Sequence, residues 1–242
     1  MVKWDRSKGR PEPIRALNRI PERENGEPLV DMRIHCPGLV MARESAIPYC
    51  RKTVAVMVRN ALQKLPEGYT FGLVEAWRPL ARQQRIYDFM WKSAAEAFPH
   101  RDHAALRRTV CRWVAPTNQP APPGHCPGGA VDLWLYKDGE PVNVWRPYPD
   151  RFVAGPTFVY GLDDEAKRHR FMLYDALISE GFSNCRDEWW HYSYGDAGWA
   201  VREDKPFCFY GLVQLDPETY AEAERLNAES FKDRPNPFLA KS

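Results

Sequence analysis

Between Ala115 and Gly124 the chain reads APTNQPAPPG, a proline-dense stretch in a sequence of 242 residues that carries 22 prolines and 15 glycines. Proline fixes φ and has no backbone N–H, so neither a helix interior nor a central strand can pass through this segment. Every regular element must end before it or begin after it, and the segment itself is expected to be an exposed, stiff loop.

The patterning on either side is mixed. From Pro48 to Leu65, Val54, Met57, Val58, Ala61, Leu62 and Leu65 recur three and four apart before the stop Pro66-Glu67-Gly68, which predicts a helix. Tyr69–Ala76 is short and rich in β-branched and aromatic residues and reads as a strand leading into Trp77-Arg78-Pro79. Helices are expected over about Leu80–Ala97 and His103–Val114. After the loop, Ala130–Leu135 reads as a strand closed by Lys137-Asp138-Gly139, and Asp164–Glu180 as an amphipathic helix stopped by Gly181. Strands are expected at Glu188–Tyr194 and Phe207–Val213, and Asp216-Pro217 opens a last helix. Hairpin-like turns and alternating apolar and polar residues favour one α+β domain with a mainly antiparallel sheet. Residues 1–45, without a sustained period, are expected to be an arm laid over a body at 46–215, disordered at its extreme start, with a helix and tail at 216–242.

Composition removes several classes of function. Lys and Arg number 34 against 32 Asp and Glu, and the two signs alternate along the chain, which argues against a nucleic-acid partner. No apolar run approaches the ~20 residues of a membrane span, and the charged start MVKWDR does not resemble an export signal. The expectation is a cytoplasmic protein with no membrane partner. Six cysteines at irregular intervals, with no C-x-x-C, read as reduced and mostly buried thiols.

Two segments carry the chemistry: GHCPGGAVD at 124–132 and DEWWHY at 187–192. A catalytic zinc takes three N or O ligands and keeps one open position, where water reaches a pKa of about 7. His125, Asp132 and His191 can form that shell. Glu188 is left over as the carboxylate that would take a proton from the attacking water and return it to the leaving amine. On an ideal strand residues 188 and 191 point to opposite faces, so a bulge or strand end is expected between them. Arg78, at a strand exit, suits an oxyanion or a substrate carboxylate, or alternatively a salt bridge to Glu75. Arg82 and Arg85 read as solvated helix face. His35, His100, His103 and His169 read as surface or hydrogen-bonded residues, and Cys126 as a less comfortable ligand beside His125. Trp189 and Trp190 read as packing residues, one inward and one outward, with Trp190 also a candidate wall of a substrate pocket.

The combination EAWRP, GHCPGGAVD and EWWHYSYGDAGWA resembles the D-alanyl-D-alanine dipeptidase family of zinc D,D-peptidases over roughly residues 50–213. By that resemblance one Zn2+ sits on His125, Asp132 and His191, Glu188 is the general base, and Arg78 stabilises the tetrahedral intermediate. The fold implied is α+β around a central antiparallel sheet. Two features depart from the family pattern. Pro123 stands where a Ser is usual, and Trp145–Phe152 replaces a segment whose acid holds the substrate ammonium. Asp150 is the nearest stand-in for that acid, with Asp163 and Asp164 as alternates. The implied partner is a small dipeptide such as D-Ala-D-Ala. Alternatives are a D,D- or L,D-carboxypeptidase acting on cell-wall peptides and a metal-binding module without hydrolysis.

Overall fold

The computed structural model describes residues 12–151 and 153–239. The expected disorder at the extreme N-terminus and the last three residues of the C-terminal tail lie outside these residues. In chain order the elements are α1 (Ile14–Leu17), β1 (Leu29–Asp31), α2 (Met32–His35), β2 (Val40–Met41), β3 (Tyr49–Arg51) and α3 (Lys52–Leu62). Then come β4 (Tyr69–Glu75), α4 (Leu80–Ala97), α5 (His103–Val110), β5 (Ala130–Lys137), β6 (Glu140–Pro141) and α6 (Asp164–Ile178). The chain closes with β7 (Ser183–Asn184), β8 (His191–Ser193), α7 (Ala197–Arg202), a 3-10 turn (Pro217–Tyr220) and α8 (Ala221–Glu229).

The main sheet runs β2-β4-β5-β8-β7, with β6 paired to β5. Only β2–β4 is parallel, so the α+β, mainly antiparallel expectation holds. Alternation along β5 sends Val131, Leu133 and Leu135 into the principal core, where they meet Val54, Val58 and Ala61 of α3 and Leu173 and Leu177 of α6. Each such fully buried Val or Leu contributes roughly 1.5–3 kcal/mol. Asp132 and Trp134 therefore face the other way.

A register shift in β4 between Leu73 and Glu75 decides what Asp132 meets. Leu73 pairs with Leu133, yet Glu75 pairs with Asp132. Without that extra residue Glu75 would follow Leu73 into the apolar face; the bulge turns it to the side of Asp132. On the other edge of β5, Asp132 pairs with His191. Glu75, Asp132 and His191 thus form one row across three neighbouring strands.

Several expectations are corrected. The helix expected from Pro48 begins at Lys52, because Tyr49–Arg51 pairs with Leu29–Asp31 instead. The proline loop is irregular and only partly exposed: Asn118 and Pro120 are exposed, whereas Pro116, Ala121 and Pro123 are buried. Its carbonyl at Ala115 accepts from Gln83 on α4, and Ala121 packs with Trp199, Ala200 and Cys208. The strand expected at Glu188–Tyr194 shrinks to His191–Ser193. Phe207–Val213 is no strand, because its backbone groups are taken elsewhere: Phe209 and Tyr210 N–H donate to the Gly195 carbonyl, and Gly211 O accepts from Arg51. The segment before residue 46 does not merely lie over the body, since Met32 and Cys36 enter the core and β2 extends the sheet. All six cysteines are free, four of them buried.

Candidate metal centre and active site

His125 lies in the turn before β5. Trp77, which is fully buried, donates its indole N–H to Cys126 O, and the Arg78 N–H donates to His125 O. Arg51, also buried, donates through Nε to Pro127 O at 2.7 Å, while its guanidinium is held by Glu24. Gly128 adopts φ +76°, a conformation L side chains avoid, and a Cβ there would stand 2.4 Å from Leu29. The turn is therefore fixed at both backbone and side-chain level before any ligand enters it.

On the other side of β5, residues 185–190 form turns rather than strand. The His191 N–H donates to Glu188 O at 3.1 Å, and the Asn184 amide donates to both Glu188 O and His191 O. This strand end, expected from the spacing, places residues 188 and 191 on one side. His191 Nδ1 lies 3.9 Å from Glu188 Oε2.

The three expected ligands converge. His191 Nδ1 is 3.0 Å and His125 Nε2 is 3.3 Å from Asp132 Oδ1, and one donor atom from each residue falls within 4.8 Å of the others. The imidazoles are edge to face, their centroids 4.9 Å apart. The Ala76 carbonyl can only accept, so His125 Nδ1, 2.9 Å away, carries the ring proton and leaves a lone pair at Nε2. The remaining nitrogen, Nε2, faces the Asp132 carboxylate, a contact that a cation between them, proton or metal, satisfies. Bond lengths of about 2.0–2.2 Å, typical of zinc with N and O ligands, suit these separations. The donor set accordingly fits a single zinc-like ion. Among the described residues the grouping does not include Cys126, whose thiol burial pushes up to about 12.

Electrostatics sort the two carboxylates. Burial opposes the charged form of Asp132, but the imidazoles of His125 and His191 outweigh it and hold the carboxyl far below the usual range. Burial pushes Glu188 up to about 7, and the charges of Asp132 and Glu12 add to this while His191 and Arg78 oppose it. The Glu188 side chain remains 26% exposed, so it has access to an incoming molecule.

Arg78 comes to the same place from β4. Burial works against its charge, but Glu75 first and then Asp132 and Glu188 sustain it. Of the two readings of Arg78, the salt bridge is present, with Nη2 3.5 Å from Glu75 Oε2, and the charges of Asp132 and Glu188 also act on the guanidinium. Its Nη1 donates to Gln83 Oε1 at 2.7 Å, and its buried Nε has no partner in the structure. Gln83, itself buried, was not singled out from sequence. Nothing in the helical period of α4 distinguishes it from a neutral core-facing glutamine.

Arg82 corrects an expectation. It is fully buried rather than solvated, because Glu75, Glu224, Ser45 O and Ala223 O all accept from it. Arg85 shares Glu224 with it and is half-buried. Glu75 thus meets three guanidiniums, those of Arg43, Arg78 and Arg82.

The remaining candidates are spread more widely. Asp150 is exposed and accepts from the Val153 N–H of its own turn. Its neighbour Arg151 stacks over Trp134, which shares Asp132's face of β5. Asp163 caps α6 through the Ala166 N–H. Trp189 is fully buried and Trp190 half-buried, the two rings edge to face at 5.3 Å. His169 is buried and hydrogen-bonds Tyr69 and Asn143 O, and His103 lies against Trp91.

Acceptors aimed at a shared cation, with a reachable carboxylate held just outside them, are the equipment of hydrolysis, and the class of protein this defines is a metallopeptidase. A profile of the peptidase M15 family, described as D-ala-D-ala dipeptidase, matches residues 50–210. The chain belongs to that family. It is similar to a D-alanyl-D-alanine dipeptidase from Synechocystis sp., with 24% identity covering 84% of this chain and 98% of the relative.

Proposed function

We propose that this chain is a zinc-dependent dipeptidase that hydrolyses D-Ala-D-Ala or a closely related D-amino-acid dipeptide. The observation that carries this reading is the convergence of His125, Asp132 and His191 with Glu188 only 3.9 Å from His191. Family membership and the name of the Synechocystis relative support the substrate class.

Zinc on His125, Asp132 and His191 would supply Lewis acidity, polarising the scissile carbonyl and making water a nucleophile near neutral pH. Asp132 offsets part of the ion's charge, and the hydrogen bond from His125 Nδ1 to Ala76 O keeps Nε2 aimed inward. Glu188 accepts the proton of the attacking water at its carboxylate and delivers it to the amine nitrogen that leaves. Arg78, held beside the cluster by Gln83 and Glu75, would stabilise the oxyanion that develops on the carbonyl. On the substrate side, Asp150 is the proposed partner of the ammonium and Trp190 a wall of the pocket. Six free cysteines suit a reducing compartment, and this reading places the reaction in the cytoplasm, on a free dipeptide.

The deciding assay is release of free D-Ala from D-Ala-D-Ala. Zinc-loaded protein is expected to be active and chelator-treated protein inactive, with activity restored by zinc. Glu188→Gln is expected to lower kcat by about 10²–10⁴ while zinc still binds. Full activity in that variant would remove the role given to Glu188. Preference for a longer muropeptide in direct competition would turn the assignment to a carboxypeptidase, a reading favoured by buried Pro123 and the altered 145–152 segment.

A further inference from the structure

The turn that carries Glu188 is held by a side chain outside it. Asn184, at the end of β7, donates from its amide nitrogen to Glu188 O at 3.2 Å and to His191 O at 2.9 Å. One amide thus bridges the carbonyls at both ends of the 188–191 stretch, which the His191 N–H closes by donating to Glu188 O. His191 is also fixed by strand register, since it pairs with Asp132. Glu188 lies in no strand, and its own N–H reaches only Cys185 O, at 3.3 Å. Its place depends on how the turn is tied.

Carbonyl oxygens only accept, so the nitrogen of the Asn184 amide must face them and its Oδ1 must face the other way. There it meets Thr157, which is fully buried: Thr157 Oγ1 stands 2.6 Å from Asn184 Oδ1 and 3.1 Å from Cys185 O. Two oxygens at 2.6 Å need a proton between them, and Oδ1 has none to give, so the Thr157 hydroxyl donates to Asn184. That bond selects the amide orientation in which Nδ2 serves the turn.

Thr157 is itself anchored. Its N–H donates to Arg186 O at 2.9 Å, and two residues earlier Gly155 O accepts from the Trp189 N–H at 2.9 Å. Behind it Arg170 of α6, fully buried, donates to Val144 O, Pro156 O and Thr157 O. One guanidinium therefore ties both ends of the 145–156 segment, which includes the stretch that departs from the family pattern, to the helix.

We propose that Asn184, oriented by the Thr157 hydroxyl, is a positioning residue for the Glu188 carboxylate and acts on it through the backbone of the turn. This rests on the hydrolytic role given to Glu188 above. A misplacement of about 1 Å can cost about 10²-fold in rate. A turn freed of this tie loses kcat, while the contacts that bind substrate, and with them KM, stay as they are.

Two variants test it. Thr157→Val keeps the shape and the backbone bonds of the residue and removes the hydroxyl, and Asn184→Asp keeps the size but sets an oxygen against Glu188 O and His191 O. The kcat of D-Ala release is expected to fall about tenfold in Thr157→Val and about 10²-fold in Asn184→Asp, with KM within about twofold of the wild type. Thr157→Ser, which keeps the hydroxyl, is expected to restore most of kcat. Zinc affinity by chelator competition should escape the about 10–100-fold loss that follows removal of a ligand's outer partner. Amide hydrogen exchange at His191 in the metal-free protein is expected to quicken about tenfold in Thr157→Val, with the amides of β4 unchanged. Wild-type kcat in Thr157→Val and Asn184→Asp would overturn the proposal, as would a Thr157→Ser variant as slow as Thr157→Val or a raised KM in place of a lowered kcat. Should Asn184→Asp fail to fold, the two Thr157 variants decide. A wild-type chain that releases no D-Ala would sink the proposed function, and the exchange rate at His191 would still decide whether Thr157 and Asn184 hold the turn.

Discussion

The two halves of the candidate site are built by different means. On the metal side, Asp132 and His191 are neighbours across β5 and β8, so backbone register sets their separation and only His125 depends on a loop. On the arginine side, Arg78 is held by Gln83 from α4 and by Glu75, while Glu75 also binds Arg43 and Arg82, and Arg82 reaches Glu224 on α8. One half is a ladder of hydrogen bonds with local rules. The other is a set of long side chains whose placement requires distant segments to be in place already.

The contrast can be broken at its strongest point by Asp132→Ala. Removing the carboxylate that both imidazoles face should cost more than the about 10–100-fold in metal affinity typical of outer partners, and D-Ala release should fall to background. Metal content after dialysis and the release assay check it together. Next in size is Glu75→Leu, which strips three guanidiniums of their common anion. The loss of a buried charge partner is expected to destabilise the fold by about 3–5 kcal/mol, read as a lower denaturant midpoint, with the metal still bound by the folded fraction.

Gln83→Leu sharpens the comparison further. Freed on one side, Arg78 should lose alignment, and kcat/KM should drop about tenfold with unchanged zinc affinity. Gln83→Glu keeps the accepting oxygen and should restore most of the rate. A parallel drop in zinc affinity would show that the two halves are coupled rather than separate. The smallest effect is expected from Asp163→Ala, which removes the α6 cap at a cost of about 1 kcal/mol and leaves kcat/KM unchanged. A raised KM there would instead give Asp163 the ammonium-binding role considered for it.

What could be read without coordinates follows the same division. The α4 boundaries, the strands at Tyr69 and Ala130, and the candidates His125, Asp132, His191 and Glu188 were legible because period, turn chemistry and ligand spacing are local properties of the chain. The strand expected at Phe207–Val213 was not realised, because Arg51 and Gly195 take its backbone groups, and neither lies near it in sequence. Arg82 looked solvated for a related reason. Its acceptors come from residue 75 on one side and residues 223 and 224 on the other.

By itself, then, the sequence determined which side chains could grip a cation, which acid stood beside them, and that a mainly antiparallel sheet would carry them. Tertiary structure alone decided that a shifted register in β4 turns Glu75 toward Asp132 and that Gln83 braces Arg78. Spacing along a chain fixes periodicity and local turns, whereas a pairing offset or a buried contact between remote segments exists only once the chain has folded back on itself.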